Sequence, residues 1–155
     1  MPGNGTNFEA PVYVGTRPQS TPTTPWINDY GPVQCLARGT LTAAGTATVS
    51  GTVYVPIGSV LIDVTEDTLT AWNGGTAVAT VGTAAADATY AGNTDVHATG
   101  RTRPAFTATQ LLNMGSVVAP AALVFSIAPG ASSTLGATVF TFEYAPTQQT
   151  YIGNT

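Results

Sequence analysis

From Thr40 onward, apolar and polar side chains alternate along most of the chain. In the run Thr46 to Val55, Val49, Val53 and Val55 fall on one side of an extended backbone and the Thr and Tyr side chains on the other, the two-residue period of a half-buried strand. Gly51 leaves open whether this is one strand or two with a bend between them. Pro56-Ile57-Gly58 interrupts the pattern, and Ser59 to Thr70 resumes it, with Val60, Ile62 and Val64 facing one way and Leu61, Asp63 and Thr65 the other. Asn73-Gly74-Gly75 then supplies turn residues before Ala77 to Val81, which predicts a hairpin. Residues 82 to 104 lose the alternation and are broken by Gly82, Gly92 and Gly100, so a loop with a short turn around Ala84 to Ala88 is expected. Order returns at Ala105 to Leu112 and again at Ala122 to Ile127. After Pro129-Gly130, Ala137 to Tyr144 sets Phe140, Phe142 and Tyr144 opposite Val139, Thr141 and Glu143. Short strands at near-regular spacing, with no amphipathic helical pattern, predict an all-β fold, an antiparallel β-sandwich or jelly roll. No repeat of fixed period points to a solenoid or propeller.

The first 32 residues read differently. They hold Pro2, Pro11, Pro18, Pro22, Pro25 and Pro32 among Gly, Thr and Asn, a composition that favours extended backbone and excludes helix. We therefore expect an extended N-terminal arm over 1–32 and a β-sandwich domain over 33–155. Such an arm reaches on the order of 100 Å at roughly 3.3 Å per residue, enough to touch a neighbouring subunit. Its large apolar groups exceed what a solvated linker needs, and Phe8, Tyr13, Trp26, Ile27 and Tyr30 are the candidate partner-binding residues. They dock either on the chain's own domain or on another chain.

Composition narrows the function classes. The chain has 155 residues and a net charge of −4, and only 8% of it is charged, against about 25% in ordinary domains. It contains no lysine, and its fixed positive charges are Arg17, Arg38, Arg101 and Arg103. Neutralising a phosphate backbone needs more, so no nucleic-acid partner is expected. Met1 to Asn7 lacks the basic and apolar regions of a secretory signal, so none is expected. Val117 to Ile127 is much shorter than the roughly 20 residues of a membrane-spanning helix, and no membrane partner is expected.

Candidate chemistry is sparse, and neither catalytic residues, a metal nor another cofactor is expected. His97 is the single histidine, with Asp95 two residues before it, but no Gly-x-Ser-x-Gly elbow accompanies them, and a solvated loop histidine is expected. Cys35, also single, sits in the apolar run Val33 to Ala37, where a buried, inert thiol is expected. Asp63, Glu66 and Asp67 form the densest charge cluster. They lack the alternate-position acids and central Gly of a calcium loop, and are expected at a solvated strand end.

The strands carry few of the Lys, charge and Pro guards that usually protect sheet edges, which points to edges covered by neighbouring subunits. Tyr54-Val55-Pro56-Ile57-Gly58-Ser59-Val60-Leu61-Ile62-Asp63-Val64, with Thr65-Glu66-Asp67, Ala71-Trp72-Asn73-Gly74-Gly75-Thr76, Ala79-Thr80-Val81-Gly82-Thr83, Asp87, Asn93-Thr94-Asp95-Val96 and Thr99-Gly100-Arg101-Thr102, resembles a segment of small structural proteins of tailed bacteriophages. The resemblance covers about residues 53 to 104. It implies a β-sandwich without enzymatic activity, located in the virion. The expected role is that of a capsid decoration or cement protein at the capsid surface. Its partners would be the major capsid protein and copies of itself, with a trimer favoured. A neck, tail or head-fibre component is an alternative. A carbohydrate- or receptor-binding sandwich using Trp72 and Tyr90 is another, against which a hairpin Trp packed on its own sheet is the favoured reading.

Overall fold

The computed structural model describes residues 34–56, 59–115, 122–130 and 133–146. They form β1 (Cys35–Thr42), β2 (Val49–Tyr54), β3 (Val60–Thr70), β4 (Val78–Gly82), β5 (Ala91–Asp95), β6 (Gly100–Thr102), α1 (Ala108–Met114), β7 (Ala122–Ala128) and β8 (Ala137–Ala145). The expected arm, residues 1–32, lies outside the described residues.

Two four-stranded antiparallel sheets pack face to face, ordered β1-β8-β3-β6 and β2-β7-β4-β5. The ladders are nested: β1 pairs with β8, β2 with β7, β3 with β6 and β4 with β5. Of the connections between successive strands, only β4 to β5 stays within one sheet.

The expected hairpin at Asn73-Gly74-Gly75 is therefore corrected, because β3 and β4 belong to different sheets. The residues flanking the turn explain the crossing. Trp72 and Ala77 are both buried, so the segment drops into the end of the sandwich rather than reversing over its surface. Trp72 Nε1 donates to Thr138 Oγ1 at 2.9 Å, and Thr138 and Thr68 share a 3.2 Å hydroxyl bond. Asn73 Oδ1 accepts from Ser133 Oγ and from the N–H groups of Thr134 and Leu135 at 3.0–3.1 Å, tying this crossing to the one that leads into β8.

The alternation of β2 and β8 is as expected. Val53 and Val55 are buried with Val49 beside them, and Phe140 and Phe142 are fully buried with Tyr144 packed against the core. In β3 the expected faces are shifted. Leu61 pairs with Tyr144 and Asp63 with Glu143, so Ile62 is the extra residue of a β-bulge. An extra residue inverts the phase of everything after it. Leu61, Val64, Glu66 and Thr68 consequently point inward, while Ile62 is exposed.

Phe125 from the second sheet inserts between Phe140 and Phe142 of the first, with ring centroids 4.9 and 5.6 Å away. Gly39 on β1 and Gly51 on β2 make room for it. A Cβ at either would stand 2.1 or 2.5 Å from Cζ of that ring, and β2 runs straight through Gly51 as one strand.

Within residues 82–104 the turn expected around Ala84 to Ala88 is present, with Asp87 N–H donating to the Ala84 carbonyl, and what is corrected is the rest, which holds two short strands. Ala91-Gly92-Asn93-Thr94-Asp95 and Gly100-Arg101-Thr102 have little intrinsic strand preference and become strands by pairing with β4 and β3. The connection between β4 and β5 is organised by Asp87. Its carboxylate accepts from Thr83 N–H and Oγ1 and from Thr89 N–H and Oγ1 at 2.7–3.1 Å. This loop lies over the outer face of the second sheet, where Ala86 N–H donates to Ser126 Oγ.

Ala105 to Leu112, expected as ordered in an all-strand pattern, instead enters a helix. Thr107 caps α1: its Oγ1 accepts from Gln110 N–H, while Gln110 Oε1 accepts from Thr107 N–H. This Thr-x-x-Gln box is a helix-start signal legible in the sequence. Gln110 and Asn113 donate to the carbonyls of Ala88 and Thr89, stitching the helix to the Asp87 loop.

Candidate functional site

The candidate partner-binding residues Phe8, Tyr13, Trp26, Ile27 and Tyr30 lie outside the described residues. Trp72 and Tyr90, the aromatics of the carbohydrate-binding alternative, are 2% and 3% exposed. They belong to the core, so neither is placed to stack on a sugar. Gly136 fits against the Trp72 indole so closely that a Cβ there would lie 2.3 Å from it.

His97 lies exposed in a loop, as expected, and also clips that loop to its neighbour. Its Nδ1 bonds Asp95 Oδ1 and its Nε2 bonds the Gly74 carbonyl, with Ala77 N–H also 3.3 Å from Nε2. The Gly74 carbonyl, then the Asp95 carboxylate, raise the imidazole pKa above its ordinary value. With both nitrogens engaged, the ring is held as a fastener.

The acidic cluster divides across β3. Asp63 and Asp67 face outward, mid-strand, where Arg103 Nε meets Asp63 at 2.8 Å and Arg101 grips Asp67 through two nitrogens at 2.7 and 3.0 Å. The Arg101 hydrogen bond holds the Asp67 pKa below the usual carboxylate range. Glu66 points the other way, into the sandwich, 1% exposed and without a hydrogen-bond partner. Burial pushes its pKa up to about 7. The expected solvated strand end is thus corrected, because strand alternation sends neighbouring acids to opposite faces. Among the described residues, no group of three His, Cys, Asp or Glu side chains converges as metal ligands. Cys35 is half-buried, not buried as expected, and sits beside Tyr144 on the edge strand β1.

What the described residues do expose is backbone. The sheet edges are β1 and β6 in one sheet, β2 and β5 in the other. The β5 and β6 edges are guarded. β6 spans three residues and carries Arg101, while β5 has a register irregularity against β4, a left-handed Asn93 (φ 60°) and a terminal Asp95. The β1 and β2 edges are not. β1 runs eight residues with Arg38 as its one charge, and β2 runs six with none. Neither shows a break in register against its partner strand. The two lie against each other along the same side of the sandwich. Leu36 on β1 is 63% exposed and Tyr54 on β2 is 79% exposed. Regular edges with one charge or none bind extended chain through main-chain hydrogen bonds. The sequence carried this signal in the absence of Lys and Pro from both strands, but only the strand order says which strands are edges.

No protein-family model, curated protein or solved structure matches this chain. No helix among the described residues is long and apolar enough to cross a membrane.

Proposed function

We propose that the chain is a jelly roll serving as a non-enzymatic structural protein of a virion, one that decorates the capsid and stabilises its shell as a small homo-oligomer. The observation that carries this reading is the strand order. Pairing β1 with β8, β2 with β7, β3 with β6 and β4 with β5 is the path of one long hairpin rolled into two sheets. That winding is shared by capsid domains, lectins and cupins.

Within that group, the chemistry of the side chains favours the capsid use. The two aromatics that a sugar platform on the loops would use, Trp72 and Tyr90, are buried. A hydrolytic or metal site would need convergent groups, whereas Asp63, Asp67 and His97 are each engaged in structural pairs. The unguarded side formed by β1 and β2 suits contact with other chains, and so does the resemblance of residues 53–104 to phage structural proteins. The partners that follow are the major capsid protein and neighbouring copies of this chain. Phe8, Tyr13, Trp26, Ile27 and Tyr30 would anchor the arm by burying aromatic and aliphatic surface across subunit boundaries.

The test is localisation on native particles with an antibody against the chain, together with its copy number. Label over the whole shell at a copy number that follows the capsid lattice is expected. Label confined to a neck, tail or fibre would replace decoration with a connector role, and absence from purified particles would overturn the virion reading.

A further inference from the structure

We propose that β2 is a homotypic pairing strand: two copies of this chain join antiparallel, edge to edge, through Val49–Tyr54, extending the β2-β7-β4-β5 sheet across a two-fold axis. The inference rests on the reading of this chain as an oligomeric structural protein, and it identifies one partner as a second copy.

Three observations select this strand and this occupant. First, among the described residues, β2 alone of the four edge strands has no charged residue, no register break and no residue with positive φ. Second, self-pairing about a two-fold axis brings residues near the middle of the strand beside their own copies, so a charge placed there would meet a like charge. In β1 that charge would be Arg38, with no acid on the strand to offset it, whereas β2 sets no like charges together. Third, the side chains fit their own image. Directly opposed residues of an antiparallel pair point to the same face, so the inner residues Val49, Gly51 and Val53 must meet inner residues, and Ser50, Thr52 and Tyr54 must meet outer ones. Two registers satisfy this over most of the strand. Centred on Gly51, Val49 opposes Val53 of the second copy and Ser50 opposes Thr52. Centred on Thr52, Tyr54 opposes Ser50, and the two Thr52 side chains meet. Either register extends the inner face with small and aliphatic groups and the outer face with hydroxyls. The contact closes on two copies, which puts a dimer where the sequence reading favours a trimer.

Full-length chains carrying Cys35→Ser test this by site-directed cross-linking under mild oxidation. Directly opposed strand residues sit about 4.5–5.5 Å apart at Cα, within disulfide range. Either of two results supports the proposal: Thr52→Cys links to itself, or Thr52→Cys links to Ser50→Cys in an equimolar mixture. In sedimentation, Thr52→Lys, at an exposed position, is expected to weaken self-association about tenfold or more. Failure of both cross-links, or self-association unchanged by Thr52→Lys, overturns it. Thr52→Cys linking instead to Thr40→Cys on β1 would also overturn it, by showing a head-to-tail contact. None of these failures touches the virion reading, which stands or falls on particle localisation.

Discussion

Glu66 on β3 and Thr94 on β5 approach each other between the two sheets, yet neither the carboxyl oxygens nor the hydroxyl has a hydrogen-bond partner. Burial dominates the carboxyl, and the nearby hydroxyl offsets only part of it, leaving a pKa of about 7. A carboxyl whose folded pKa lies above its ordinary 4.5 binds its proton more tightly when folded. Its contribution is therefore complete below about 4.5, is lost as pH rises through 7, and is on the order of 3 kcal/mol. Chemical denaturation of the wild type between pH 5 and pH 8 is expected to show falling stability, and Glu66→Gln is expected to remove most of that slope. The residual slope belongs to His97, whose raised pKa has the same sign. An unchanged slope in Glu66→Gln would mean that the carboxyl is hydrated in solution.

At the acid end the sign reverses. Burial pushes the Asp87 carboxyl up, but the donors from Thr83 and Thr89 outweigh it and hold it below the usual range, and Asp67 is held low by Arg101. Groups depressed in this way stabilise above the ordinary Asp range and lose that contribution as pH falls. Asp87→Asn is expected to reduce the loss of stability between pH 5 and pH 3, read from urea midpoints at each pH. An equal acid loss in the variant would move the effect to other carboxylates.

Gly39 and Gly51 hold the Phe125 ring from two strands. Gly39→Ala and Gly51→Ala are each expected to cost about 1–3 kcal/mol by overpacking. Shortening the ring to Phe125→Leu in the same chain should recover part of that cost, although Phe125→Leu alone destabilises. Double-mutant cycles from urea unfolding measure the coupling. Strict additivity would show that the ring does not constrain these glycines.

Thr138 accepts from the buried Trp72 indole, so Thr138→Val leaves an N–H without a partner and is expected to cost about 1–3 kcal/mol. Thr138→Ser keeps the acceptor and should cost less. A negligible loss in Thr138→Val, which keeps the methyl group, beside a larger one in Thr138→Ser would assign the effect to packing of the methyl group instead.

Salt is expected to matter little. The Arg101–Asp67 and Arg103–Asp63 pairs have exposed guanidinium groups and stabilise weakly, and β2 carries no charge. Raising salt from about 0.05 to about 0.5 M, which shortens the screening length severalfold, should leave both melting temperature and self-association nearly unchanged. Dissociation of the oligomer by salt alone would point to an ionic contact elsewhere.

Local period and composition identified an all-β chain and placed β2, β4, β7 and β8, because a strand half-buried against a core writes its two-residue repeat into the side chains. The same rule accounts for the faces of Val53, Phe140 and Phe142. It failed at Ile62, where one extra residue inverts the phase, and at β5 and β6, whose Gly, Asn and Asp are strand only because β4 and β3 offer them hydrogen-bond partners. The Thr107–Gln110 capping box was legible, but seven helical residues leave no periodicity for a pattern of strands to set against it.

Pairing between strands distant in sequence is invisible to any local pattern, since its energy resides in backbone groups that every residue carries. Tertiary structure alone therefore decided that Asn73-Gly74-Gly75 crosses between sheets, that Trp72 is core, and that Glu66 faces inward while Asp67 faces out beside Arg101. The scarcity of charge was plain in the residue list. Its consequence, that among the described residues β1 and β2 end their sheets together along one side without a strand paired on their outer edges, follows from the order in which these eight strands hydrogen-bond.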